Sequence, residues 1–207
     1  GHTNPTLGVV KELIKNNNEV FYYSYEIMKE KIESTGAKFI ACDKFDSQTQ
    51  LSNEDKEKIT KDIAFSTNLI VDMTLSLDDA ILQEMKKLKP DVIVGDSVAF
   101  WGKLIAKKLN IPFVSSTTTF AFNQYSARVM KQEKIGLFQI IKSIPKINKS
   151  LNKLREKGYE VKSVLDIIGN DNDTSTIVYT SKYFQPYSET FSDNYAFVGP
   201  ILREAAE

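Results

Sequence analysis

Lys89-Pro90-Asp91-Val92-Ile93-Val94-Gly95-Asp96 is the stretch on which the fold turns. Its centre is an uninterrupted β-branched run bounded by proline and glycine, which predicts a strand buried on both faces of a helix-covered parallel sheet. Just downstream, Trp101, Leu104, Ile105 and Leu109 recur at helical spacing, Asn110 caps the end, and Ile111 to Ser115 reads as the next strand. Ala121 to Tyr159 is helical and basic, with a break expected at Pro145, and Ser175 to Thr180 and Tyr195 to Val198 are strands ahead of Gly199-Pro200.

Upstream, Ser52 or Asn53 opens one long helical region reaching about Leu88, and the polar stretch from Asp43 to Asn53 is a loop. Lys38 to Cys42 and Val20 to Tyr23 are short strands. Between them lies a helix from Tyr25 to Thr35, with Ile27, Met28 and Ile32 facing inward and Gly36 as its stop. The first helix uses Thr3 or Asn4 as N-cap and Pro5 in its first turn, where a missing N–H costs nothing. It places Leu7, Val9, Val10, Leu13 and Ile14 at helical spacing and stops at Asn16-Asn17-Asn18. Strands alternating with helices over short connections predict an α/β domain, a Rossmann-like parallel sheet flanked by helices. In such a fold a central strand precedes the helix at Pro5, so the expectation is that this first strand is missing and that residues 1–207 alone are poorly stable.

Composition narrows the function classes. Lys plus Arg (27) equals Asp plus Glu (27), so the chain carries no global electrostatic footprint for nucleic acid or an anionic membrane. The single cysteine, Cys42, permits no internal disulfide, and no Cys/His cluster of zinc type occurs. Apolar runs are too short to span a bilayer and no basic leader opens the chain, so a cytoplasmic location is expected. Neither G-x-G-x-x-G, nor a P-loop, nor a G-x-S-x-G elbow is present.

The only histidine, His2, sits where a strand would hand over to the first helix, at the carboxyl edge of the sheet where open α/β folds bind ligands. It is either a solvated terminal side chain or a general base. Asp96 holds the equivalent place after Val92 to Val94; it is an N-cap for the helix containing Trp101, a carboxylate that fixes the His2 tautomer, or both. Ser115-Ser116-Thr117-Thr118-Thr119 supplies hydroxyls for turn chemistry or for a phosphate or sugar. Phe100, Trp101, Phe120, Phe122 and Tyr125 fill core or line an apolar pocket. The basic stretch between Lys131 and Lys162 reads as a solvated helix face, since Glu133, Glu156 and Glu160 are interspersed.

Gly1-His2-Thr3-Asn4-Pro5-Thr6-Leu7, Glu19-Val20-Phe21-Tyr22-Tyr23, Pro90 to Asp96, Trp101-Gly102, Ile111-Pro112, Ser181-Lys182 to Gln185-Pro186 and Tyr195 to Pro200 together resemble family-1 glycosyltransferases, particularly the bacterial macrolide type. The resemblance implies the N-terminal, acceptor-binding half of a GT-B fold over 1–200, with 201–207 opening the interdomain linker and a C-terminal donor domain lying outside the chain. It implies inverting transfer of a sugar from a nucleotide diphosphate sugar, UDP-glucose being the expected donor, to a hydroxyl of a small hydrophobic acceptor such as a macrolide or polyphenol. No metal or cofactor is required on this reading. His2 matches the general base and Asp96 its partner; Gly1, Thr117 and Thr118 match donor-phosphate contacts. Asn4, Phe100, Trp101, Phe120 and Asn123 fall in the acceptor region. The alternatives from other classes are a small-ligand binding module, which Lys89 to Gly95 and Asn110-Ile111-Pro112 also suit, and one subunit of a split glycosyltransferase.

Overall fold

The computed structural model describes residues 2–42, 52–129, 137–169 and 173–200. Gly1, 43–51, much of the basic stretch before Leu137, and the linker at 201–207 lie outside them. Helix α1 (Thr3–Lys15) leads into β1 (Phe21–Ser24), a 3-10 turn (Glu26–Met28), α2 (Lys29–Glu33) and β2 (Lys38–Ala41). Helices α3 (Asn53–Lys61) and α4 (Ile63–Leu88) precede β3 (Ile93–Asp96), α5 (Phe100–Leu109) and β4 (Phe113–Thr117). Then come α6 (Ser126–Val129), α7 (Leu137–Glu156), α8 (Leu165–Ile168), β5 (Ser175–Val178) and β6 (Tyr195–Phe197).

Every strand pair is parallel. The strands form two sheets, β1-β2 and β3-β4-β5-β6. Among the described residues β1 therefore pairs only with β2 and β3 only with β4, where one continuous sheet would be the simplest Rossmann-like arrangement. Three apolar clusters hold the layers. Val10, Ile32 and Ala37 pack α1 and α2 near the small sheet, while Leu77, Ile81, Ile93 and Ile105 join α4, β3 and α5. Val71, Leu104, Ile147, Leu151 and Leu154 bind α7 to α4 and α5. Each buried valine, leucine or isoleucine among them contributes about 1.5–3 kcal/mol.

Several expectations need correction. Strand β3 is not buried on both faces: Val92 and Val94 are 46% and 45% exposed, so one side of the run is only half covered. The long helix before it is two helices, because Asp62 adopts extended backbone and its Oδ1 accepts from Ala64 N and Phe65 N, capping α4 anew. Ser52 caps α3 through a reciprocal bond with Asp55. Ile27 faces solvent at 89% exposure, since its segment winds as a 3-10 turn and only five residues continue as α2. Pro145 does not break its helix; α7 runs through it, because Ile147, Leu151 and Leu154 just beyond it are anchored in the core and outweigh one lost backbone bond. Neither Thr3 nor Asn4 caps α1; His2 occupies that position without a side-chain cap bond.

Candidate functional site

The carboxyl edge of β3 is built by close packing. A Cβ on Gly95 would lie 2.6 Å from the Phe113 ring, and one on Gly102 would lie 3.9 Å from the Gly95 Cα, so α5 approaches β3 with little between them. Asp96 ends the strand opposite Ser116 of β4. The chain then turns sharply, with Asp96 Oδ1 accepting from Val98 N (2.9 Å) and Asp96 O from Ala99 N (2.9 Å). Asp96 is thus not the N-cap of α5; Ala99 holds that position, and the carboxylate braces the turn.

That turn leaves Oδ2 free to meet His2. His2 Nδ1 lies 3.0 Å from Asp96 Oδ2 and 2.9 Å from Thr118 Oγ1, so one ring nitrogen is held from both β3 and the end of β4. The His2 side chain is 48% exposed and that of Asp96 20%. Among the described residues, Nε2 takes no hydrogen bond. A carboxylate only accepts, so in the neutral imidazole Nδ1 carries the proton and Nε2 presents a lone pair.

Helix α1 is tied down to hold His2 there. Thr6 Oγ1 donates to Thr3 O (2.8 Å) and lies 2.5 Å from the Tyr22 hydroxyl of β1. Burial pushes the Tyr22 phenol above its ordinary value, partly offset by hydrogen bonds with Thr6 and Thr3, and burial does the same for Tyr179. Tyr179 accepts from Ser116 Oγ (3.3 Å), and Ser116 is the register partner of Asp96. Both phenols stay protonated at neutral pH, so the ground beside Asp96 is polar without carrying further charge.

The remaining anticipated residues are dispersed. Thr117 is buried at the end of β4, its carbonyl accepting from Tyr179 N (3.0 Å). Asn4 lies half-buried in the first turn of α1, and Phe120 is half-buried just beyond Thr118. Phe100 packs against the α4–α7 core, and Trp101 against Tyr23 edge-on at 6.2 Å between ring centroids. Asn123 serves as a cap: its Oδ1 accepts from Tyr125 N and Ser126 N, and its Nδ2 donates to Thr190 (2.7 Å). Gly1 lies outside the described residues.

Sequence reasoning did not anticipate the Gln185 side chain, whose Oε1 accepts from Ala121 N and whose Nε2 donates to Ala121 O, clamping the loop after β4. Beside it Phe122, Tyr125 and Tyr187 are each about half exposed, Tyr125 and Tyr187 lying 6.4 Å apart. Among the described residues no group of His, Cys, Asp and Glu could hold a metal, and no helix is long and apolar enough to cross a membrane.

No family profile matches the chain. All of its length aligns, at 32% identity, with 51% of an uncharacterized UDP-glucosyltransferase, YojK, of Bacillus subtilis strain 168. All of it also aligns, at 27% identity, with 46% of demethyllactenocin mycarosyltransferase of Streptomyces fradiae. The crystal structure of CalG4, the calicheamicin glycosyltransferase, superposes on 98% of the chain at a TM-score of 0.68 and 26% identity, using 49% of that protein. The chain spans about half the length of the curated relatives it matches. Its curated relatives are thus bacterial UDP-glucosyltransferases and macrolide-type NDP-glycosyltransferases, each matched over about half its length, and its fold is that of the N-terminal half of a GT-B glycosyltransferase.

Proposed function

We propose that this chain is the acceptor-binding half of an inverting glycosyltransferase, with residues 1–200 as one domain. The observation that carries the reading is His2 Nδ1 engaged at 3.0 Å by Asp96 while Nε2 takes no hydrogen bond among the described residues at a half-exposed edge. A hydroxyl of the acceptor meets Nε2, which takes its proton as the oxygen attacks the anomeric carbon of the sugar. The bond from that carbon to the diphosphate breaks on the opposite face, so the configuration inverts and the nucleoside diphosphate leaves with the electron pair. Asp96 offsets the positive charge that the imidazole gains.

The acceptor is small and largely apolar, a macrolide or polyphenol. Support comes from Phe122, Tyr125 and Tyr187, which expose aromatic surface on the loops following β4 and β5, at the same carboxyl edge as His2. The donor is UDP-glucose, held chiefly by the partner half, with Gly1 and Thr117 at its phosphates and no cofactor or metal taking part. The protein works in the cytoplasm. His2→Ala in the full-length enzyme should lower turnover of UDP-glucose with erythromycin or kaempferol by about 10²–10⁴-fold. Near wild-type turnover would overturn the assignment.

A further inference from the structure

We infer that Thr118 is a positioning residue for His2, resting on the general-base reading above, and that its hydroxyl is committed to the imidazole rather than to the donor phosphates. The contact of 2.9 Å between Thr118 Oγ1 and His2 Nδ1 is as short as the one from Asp96 at 3.0 Å, and both converge on the same nitrogen.

That nitrogen bears a single proton, so the two oxygens divide one N–H between them in a three-centre bond, with Asp96 and Thr118 both accepting. The two partners do different things. The carboxylate cannot donate, so it sets which nitrogen is protonated. By itself, a single contact at Nδ1 leaves the ring free to swing about the N–H···O axis, carrying Nε2 through an arc. A second acceptor off that axis removes the swing and fixes the direction of the Nε2 lone pair. Misplacement of a reacting group by about 1 Å can lower a rate by about 10²-fold, so that direction matters.

Thr118 is suited to this because its own backbone is pinned on both sides. The Thr117 carbonyl accepts from Tyr179 N at 3.0 Å, and the Thr119 carbonyl accepts from the Thr180 hydroxyl at 3.2 Å. One residue earlier, the Ser116 carbonyl accepts from Ser97 N at 2.9 Å, tying this segment directly to the turn that carries Asp96. The two oxygens facing His2 therefore belong to one rigid frame spanning β3, β4 and β5. Three successive hydroxyl residues from the last residue of β4 onward look interchangeable in sequence, yet Thr117 is buried and the Thr119 carbonyl is engaged by Thr180 just past β5, leaving Thr118 as the one that meets the ring.

The test uses full-length enzyme with Thr118→Val, which keeps the shape and removes the hydroxyl, and Thr118→Ser, which restores it. UDP-glucose is the donor, and erythromycin and kaempferol are the acceptor probes. The expected result for Thr118→Val is a fall in kcat of about tenfold with KM for UDP-glucose unchanged, and recovery in Thr118→Ser. Independently of turnover, the Nδ1–H resonance of His2, identified by its loss in His2→Gln, should exchange with water about tenfold faster in Thr118→Val and return to the parent rate in Thr118→Ser. A raised KM for UDP-glucose with kcat and Nδ1–H exchange unaltered would overturn the inference and return Thr118 to the donor. If His2→Ala keeps full turnover, the general-base reading is what fails, and the exchange rate still decides whether Thr118 holds the ring.

Discussion

Two polar clusters in this molecule use the same ingredients toward opposite ends. At the carboxyl edge Asp96 meets His2 across side chains that are 20% and 48% exposed. Between α4, α5 and the end of α7, Asp78 meets Lys108 Nζ at 3.2 Å with side chains 3% and 18% exposed, and Tyr159 closes the group by donating its hydroxyl to Asp78. Lys108 also lies over the Tyr159 ring, 4.1 Å from its centroid. In the second cluster the carboxylate is enclosed by donors and the cation is covered by an aromatic face, so every partner is spoken for. In the first, one nitrogen is held and the other takes no hydrogen bond among the described residues. A closed network stabilises; one left open on a single atom is poised for chemistry.

The sharpest way to break this contrast is to delete each carboxylate. Asp78→Ala strands a nearly buried ammonium and phenol, and chemical denaturation should show a loss of about 3–5 kcal/mol. Asp96→Ala should change stability by about 1 kcal/mol or less while turnover collapses. Equal stability losses from the two would erase the distinction.

Gly95→Ala tests whether the open cluster depends on close packing beneath it. The added methyl meets the Phe113 ring at 2.6 Å, so about 1–3 kcal/mol of stability should be lost and the His2–Asp96 geometry disturbed with it. Unaltered stability and turnover would mean that β3 and Phe113 can part freely.

Tyr159→Phe probes the closed cluster more gently and should lower stability by about 1–2 kcal/mol. It also has a pH signature. Burial, and then the hydrogen bond to Asp78, push the Tyr159 phenol well above its ordinary value. The unfolded chain releases that proton near pH 10 while the folded chain keeps it, so this contribution is complete below about pH 10 and is lost as pH rises further. Midpoints of urea unfolding measured from pH 9 to 11 should therefore decline less steeply in Tyr159→Phe than in the parent. Smallest of all, Lys153→Met removes the 2.8 Å pair with Asp72 on the half-exposed α4–α7 face, and thermal unfolding should register about 1 kcal/mol or less.

The alternation of strands and helices was legible because period and punctuation are local: Gly36 and Asn110 stop elements with positive φ, as their chemistry suggests. Lys89 does the same without any such cue, having only the proline that follows it as a signal. The Asp62 break within the long helical region was hidden, since an aspartate in a polar stretch reads equally as a surface residue or a cap. For the site, His2 and Asp96 could be placed on one edge by topology, and the structure puts them 3.0 Å apart. Which of Thr117, Thr118 and Thr119 would face the ring depends on where β4 ends and how the chain leaves it. Composition is silent on that, as it is on Trp101 and Asn123, whose side chains go to the core and to a cap.

The imidazole is held from two separately packed parts of the molecule. His2 rides on α1, which is fastened to β1 through Thr6 and Tyr22, whereas Asp96 and Thr118 belong to the larger sheet. The short contacts at Nδ1 consequently join the α1–β1 side to the β3–β4 side, and they work as a caliper between them. A shear of even half an ångström between the two halves would be read directly as a changed grip on the imidazole. Anything that shifts α1 against β3 and β4, however far from His2 it acts, would change the direction in which the ring is presented to an acceptor.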